Sequence, residues 1–112
     1  KVISVYYGKE MELKQLFHSV MTPGAKNALH WDNYIENGDE DVSSLLYIND
    51  DYSGGELHFP NQNLKIKPKK GTFIFFSGDE TVEHEVTTVT EGNRNAFVGF
   101  YWPVLRRKRV MS

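Results

Sequence analysis

The sequence predicts an all-β sandwich or barrel, with little helix beyond a short one near the N-terminus. Three observations carry that expectation. Short runs rich in β-branched and aromatic residues recur along the chain, apolar and polar residues alternate within several of them, and Gly, Pro, Asn and Asp cluster between them at regular spacing.

The elements follow in order. Residues 11–21 (MELKQLFHSVM) predict a strand pair or one long bent strand, closed by Thr22-Pro23-Gly24, whose proline and glycine favour a turn. The stretch through His30 and Asp32 reads as extended. Val42 to Ile48 is a strand, Asn49 to Gly55 a turn, and Glu56 to Phe59 a strand stopped by Pro60. The paired Gly54 and Gly55 permit positive φ at that turn. Leu64 to Ile66 and Thr72 to Phe76 are strands separated by Pro68-Lys69-Lys70-Gly71. Val82 to Val89 and Arg94 to Trp102 are expected to form a final hairpin across Thr90-Glu91-Gly92-Asn93.

Composition narrows the class. At 112 residues, 39% of them hydrophobic, the chain can bury one core but not two, so a single domain over 1–112 is expected. A net charge of −2 supplies no global attraction to nucleic acid or an acidic membrane. No apolar stretch approaches the roughly 20 residues of a membrane span, and KVISVYYGKE does not read as a secretory signal. With no cysteine, disulfides and thiolate metal sites are excluded. A cytoplasmic location is the resulting expectation.

Chemistry enters at His30-Trp31-Asp32. In an extended segment the side chains at i and i+2 leave the same face, so His30 and Asp32 can share one metal ion. The dipeptide pattern alone decides nothing, because 4 histidines among 15 acidic residues produce such a spacing readily by chance. Within Val82 to Val89, His84 shares a face with Val82 and Val86, while Glu83 and Glu85 point the other way, which directs His84 inward. Arg94 begins a core-directed row with Ala96, Val98, Phe100 and Trp102. If the two strands form a hairpin, Arg94 and His84 share a cavity only when even residues pair with even, for instance Thr88 opposite Arg94, which sets them roughly 13 Å apart.

From Leu45 to Trp102 the chain reads LLYINDDYSGGELHFP, then LKIKPKKGTFIFF, then HEVTTVTEGNRNAFVGFYW. Over residues 11 to 102 it closely resembles the catalytic core of the prolyl 4-hydroxylase group of the 2-oxoglutarate- and Fe(II)-dependent oxygenases. The resemblance implies a double-stranded β-helix, or jelly roll. It also implies Fe(II) held by His30, Asp32 and His84, a facial set that leaves three positions open. Arg94 would pair the distal carboxylate of 2-oxoglutarate, with Tyr47 donating a hydrogen bond to the same cosubstrate. O2 is the second cosubstrate and ascorbate the reductant. The implied activity is hydroxylation of a prolyl residue in a peptide or protein, with release of succinate and CO2. Trp31 and Tyr34 flank the first two ligands and are the candidate substrate contacts.

Departures from the family pattern bear on substrate. Met21, Thr22, Asn27 and Ala28 stand where prolyl hydroxylases of this group commonly carry tyrosines. Phe100 occupies the place of the second arginine of nucleic-acid demethylases, so nucleic acid is not the expected partner. Asp32 argues against a halogenase, whose pattern has a small residue there. Resembling oxygenases usually carry helices before the sheet core, whereas this chain opens at Lys1 without them, so part of a larger catalytic domain is a second reading of its extent. Tyr47 can also be read as a core aromatic, and Glu56-x-His58 is not completed into a second metal site by any third ligand. His18, the acidic run at 36–41 and the basic run Arg106 to Arg109 read as solvated surface. The rival to an enzyme is a non-catalytic jelly-roll binding or assembly module, since the fold hosts many functions.

Overall fold

The computed structural model describes residues 2–8, 10–32 and 41–104 of the chain. Among them lie one helix, α1 (Val2–Tyr7), and ten strands. The strands are β1 (Met11–Met21), β2 (Asn27–His30), β3 (Val42–Tyr47), β4 (Ser53–Gly54), β5 (Leu57–Phe59), β6 (Leu64–Ile66), β7 (Phe73–Ser77), β8 (His84–Val86), β9 (Val89–Glu91) and β10 (Arg94–Pro103). Single 3-10 turns occupy Pro60–Gln62 and Glu80–Val82. The expected all-β architecture is therefore present, with the short N-terminal helix.

The strands assemble into two four-stranded antiparallel sheets, ordered β1-β10-β3-β7 and β2-β8-β5-β6, with β4 and β9 forming a small ribbon. Apart from the consecutive pair β5 and β6, neighbours in the sheets are distant in sequence, as in a double-stranded β-helix. Residues 11–21 form one long strand, irregular between Leu13 and Gln15, not a strand pair. It ends at the predicted turn, which Ala25 N–H closes by donating to the Thr22 carbonyl at 2.9 Å.

Alternation explains how each strand faces the core. In the first sheet Leu45 and Tyr47 of β3 and Ala96 of β10 point inward, and in the second Leu57, Phe59 and Val86 do the same. Together with Met21 and Val89 they form one buried cluster between the sheets. Burying such side chains contributes about 1.5–3 kcal/mol each for the larger aliphatic and aromatic residues. The opposite face of the first sheet carries Leu13, Leu16, Leu46, Phe73 and Phe97, all between 39% and 59% exposed.

The expected final hairpin does not form. Strand β8 pairs with β2 and β5, whereas β10 pairs with β1 and β3, so His84 and Arg94 lie in opposite sheets. The stretch 82–89 breaks at Thr87 and Thr88. There Thr87 Oγ1 accepts from Glu56 N–H at 2.8 Å, and the Thr88 carbonyl accepts from Gly55 N–H at 3.1 Å. Gly54 and Gly55 make this approach possible at φ values of 72° and 60°. A Cβ on Gly54 would stand 2.1 Å from the Thr88 carbonyl oxygen. The chain then continues as β9 against β4 before entering the other sheet. Arg94 and His84 thus share a cavity because two sheets face each other, and ladder register plays no part.

Candidate metal centre

The centre is built where β2 meets β8. His30 is the direct register partner of His84 in that antiparallel pair, and their ring centroids lie 4.5 Å apart. Asp32, two residues beyond His30, is 6% exposed and turns its carboxylate between the two rings. Its Oδ1 lies 3.1 Å from His30 Nε2 and its Oδ2 lies 3.2 Å from His84 Nε2. One donor atom from each residue falls within a 4.8 Å cluster, and among the described residues no other group of three such side chains does.

Each histidine is oriented through its second nitrogen. His30 Nδ1 lies 2.6 Å from the Ala28 carbonyl and His84 Nδ1 lies 3.0 Å from that of Val82. A carbonyl can only accept, so each Nδ1 carries a proton and each Nε2 is directed at the shared centre. The two nitrogens and one carboxylate oxygen fit a divalent metal of borderline or hard character, and the arrangement is that of the two-histidine, one-carboxylate sites of non-haem iron. Phe76 and Phe59 pack around His84, at centroid distances of 4.8 and 5.7 Å, and hold its ring.

The charges at the centre stabilise one another. Burial alone would raise the Asp32 pKa, but the hydrogen bond and charge of His84, the Ser43 hydroxyl and the charge of His30 outweigh it, and the carboxyl is held below its ordinary range. Burial works to lower the His84 pKa, yet Asp32 and the Val82 carbonyl favour the imidazolium and the pKa is raised. Ser43 Oγ donates to Asp32 Oδ2 at 2.9 Å. Ser43 shares a face of β3 with Leu45 and Tyr47, and a hydroxyl on that core-directed face is the signal the sequence offers for it.

A cavity of about 330 Å³ runs from this centre toward Arg94, at the small end of the range for ligand sites. Arg94 is 2% exposed. Its Nη2 donates to the Tyr47 hydroxyl at 2.6 Å, and its Nη1 approaches Met21 Sδ at 3.4 Å. Burial raises the Tyr47 pKa despite the opposing charge and hydrogen bond of Arg94, so the phenol stays protonated. Phe17, Phe76, Val98 and Phe100 supply apolar wall between the two ends.

Five sequence-selected residues therefore converge: His30, Asp32 and His84 at one end, Arg94 and Tyr47 at the other. Trp31 does not join them. It is 45% exposed and absent from the cavity lining, as expected of a residue between two that share the opposite face of an extended segment. Tyr34, residues 36–40 and Arg106 to Arg109 lie outside the described residues. His58 is bound to Glu85 across β5 and β8, at 2.6 Å, and His18 to Asn95 at 3.0 Å; neither lines the cavity.

A double-stranded β-helix with two histidines and a carboxylate at one end of its cavity, and a buried arginine at the other, defines a candidate mononuclear metalloenzyme of the jelly-roll oxygenase class. The chain belongs to the 2OG-Fe(II) oxygenase superfamily, whose family model matches residues 16–102. It is 33% identical over 109 residues to a PKHD-type hydroxylase of Prochlorococcus marinus, a match covering 89% of this chain and 48% of the relative. It is 46% identical over 61 residues to human prolyl 3-hydroxylase 2, covering 50% of this chain and 9% of the relative. Among solved structures it is similar to a prolyl hydroxylase of Trichoplax adhaerens, in complex with a hypoxia inducible factor oxygen degradation domain peptide fragment. That likeness has a TM-score of 0.67 and 26% identity, and covers 89% of this chain and 49% of the other. The chain spans about half the length of the cyanobacterial relative. No described helix is long and apolar enough to cross a membrane.

Proposed function

We propose that this chain carries the catalytic centre of an Fe(II)- and 2-oxoglutarate-dependent dioxygenase that hydroxylates a prolyl residue in a peptide or protein. The observation that carries the reading is the pairing of two sites in one cavity. Three metal-donor atoms lie within 4.8 Å at one end, and a buried guanidinium bonded to a tyrosine hydroxyl lies at the other. A diacid that chelates a metal through one end and needs a cation for the other matches both.

The residues divide the work. His30 Nε2, His84 Nε2 and Asp32 would hold the metal from one side, leaving the cavity side for cosubstrates. Arg94 would pair the distal carboxylate of 2-oxoglutarate, with Tyr47 orienting the guanidinium and offering its own hydroxyl. Phe76, Val98 and Phe100 would supply apolar wall to the space between. At such a centre Fe(II), 2-oxoglutarate and O2 together supply hydroxylation coupled to the release of succinate and CO2, with ascorbate as the supporting reductant. His30 is the most open of the three ligands, with 41% of its side chain exposed, so substrate would enter on its side, where Trp31 offers an exposed aromatic surface. The names of the human and Trichoplax relatives support a prolyl residue as the target.

Anaerobic addition of 2-oxoglutarate to the Fe(II)-loaded protein should produce the visible charge-transfer band of a bidentate chelate. A proline-containing peptide should then stimulate succinate formation far more than free proline does, because binding of the flanking backbone positions the ring. Mass spectrometry should find one added oxygen on the prolyl residue. Absence of the chelate band rejects the cosubstrate reading; turnover of a non-peptide without a proline-linked product rejects the substrate.

A further inference from the structure

Two fully buried polar atoms have no hydrogen-bond partner, one on Arg94, which lines the cavity, and one on the tyrosine packed behind it: Arg94 Nε and the Tyr52 hydroxyl. Buried donors without acceptors are rare, because each forfeits its hydration for nothing. Their proximity makes a shared cause economical. Tyr52 follows β3 by five residues and is 3% exposed. A Cβ placed on Gly55 would stand 3.1 Å from Arg94 Cδ and 3.2 Å from Tyr52 Cε1, so the arginine stem and the tyrosine ring flank the same point of backbone. Lys67 Nζ lies 4.5 Å from the centre of the Tyr52 ring and donates to the Tyr52 carbonyl, which holds the ring in place. Burial raises the Tyr52 pKa, the charge of Arg94 and a hydrogen-bonding approach of its side chain oppose this, and Tyr47 adds to it, so the hydroxyl lies beside the guanidinium. That approach to Arg94 falls outside full hydrogen-bond geometry, which leaves the hydroxyl without a well-formed bond.

We propose that the Tyr52 hydroxyl is a third donor, beside Arg94 and Tyr47, for the distal carboxylate of the diacid cosubstrate. This rests on the 2-oxoglutarate reading above and adds a residue to it. A carboxylate offers about four acceptor positions, more than one arginine contact fills. Arg94 Nη2 is already donated to Tyr47 and Nη1 faces a thioether, which is a weak acceptor. Nε is the one guanidinium nitrogen with no partner at all, and the Tyr52 hydroxyl beside the arginine stem is a second unpartnered donor. One carboxylate satisfies both, and it converts two unfavourable burials into two charge-assisted bonds. Tyr52 is in these terms a residue that selects for a diacid over a simple 2-oxo acid.

The test is Tyr52→Phe, which keeps the ring and removes only the oxygen. In the Fe(II)-loaded protein under anaerobic conditions, its affinity for 2-oxoglutarate should fall about tenfold or more, the scale of one hydrogen bond to a charged group. Affinity for 2-oxobutanoate, which keeps the chelating end and lacks the distal carboxylate, should not change. The metal-free variant should melt at the wild-type temperature or above it, since the lost hydroxyl had no partner. Affinity for 2-oxoglutarate within about twofold of wild type, or an equal loss for both acids, overturns the proposal. A lowered melting temperature overturns it as well, because the hydroxyl would then be engaged within the fold. If the wild-type protein binds no 2-oxoglutarate, the functional reading itself fails, a result separable from any behaviour of the variant.

Discussion

Replacing Arg94 with methionine separates cosubstrate binding from metal binding and from folding. The guanidinium is 2% exposed, donates to the Tyr47 hydroxyl at 2.6 Å and lies with its Cζ 4.9 Å from the centre of the Tyr47 ring. Methionine retains an unbranched stem against Gly55 and Tyr47 but carries no charge. A charge-assisted hydrogen bond contributes about 1.5–3 kcal/mol, so 2-oxoglutarate affinity should fall about ten- to hundredfold. Fold stability should change by less, because two effects on it oppose each other. The variant loses a buried cation with one donor unpaired, which is often neutral or favourable, while the Tyr47 hydroxyl loses its partner at a cost of about 1–3 kcal/mol. Fe(II) affinity should match wild type, because no ligand to the metal is altered. Anaerobic titration of Fe(II), followed by titration of 2-oxoglutarate against the chelate band, measures the two steps in turn. Unchanged 2-oxoglutarate affinity would show that another cation binds the diacid and would refute the assignment of Arg94.

Three further outcomes follow from the same geometry. His30→Ala, Asp32→Ala and His84→Ala should each abolish turnover and weaken metal binding severely, since a facial site with three protein ligands has none to spare; calorimetry with Mn(II) checks this without relying on activity. Ser43→Ala should weaken metal affinity while leaving the three ligands in place, by removing a bond worth about 1.5–3 kcal/mol to Asp32 Oδ2, and wild-type affinity in that variant would reduce Ser43 to a packing residue. The metal-free protein should show opposed pH dependences. The raised pKa of His84 gives stability that is complete below its ordinary 6.5 and is lost as pH rises through the raised value. The lowered pKa of Asp32 gives stability present above its ordinary 3.8 and lost as pH falls through the lowered value. Metal must displace the His84 proton, so metal affinity should climb with pH until that group is neutral, which titrations at a series of pH values would measure.

Much of the strand pattern was legible because its signals are local. Alternation with a period of two set the inward faces of β3 and β10, placing Ser43, Leu45 and Tyr47 on one row and Arg94, Ala96 and Phe100 on another, all of them buried. The proline and glycine cluster marked the turn at Thr22 to Gly24, whereas the turn expected over Asn49 to Gly55 contains the short strand β4 at Ser53–Gly54. The i, i+2 spacing of His30 and Asp32 put both on one face, and the inward direction of His84 followed from its neighbours Val82 and Val86. Only the tertiary structure decided which strands pair. The expected hairpin of 82–89 with 94–102 is split between two sheets, because partners in this topology are brought together by contacts across the whole chain, which no local period encodes. The same non-local pairing sets His30 opposite His84, joins Tyr47 to Arg94, hands Asp32 its bond from Ser43, and brings the Tyr52 ring against the Arg94 stem. Sequence determined which side chains face the core, since that depends on alternation within a strand. Their meeting at one cavity depends on how the sheets face each other.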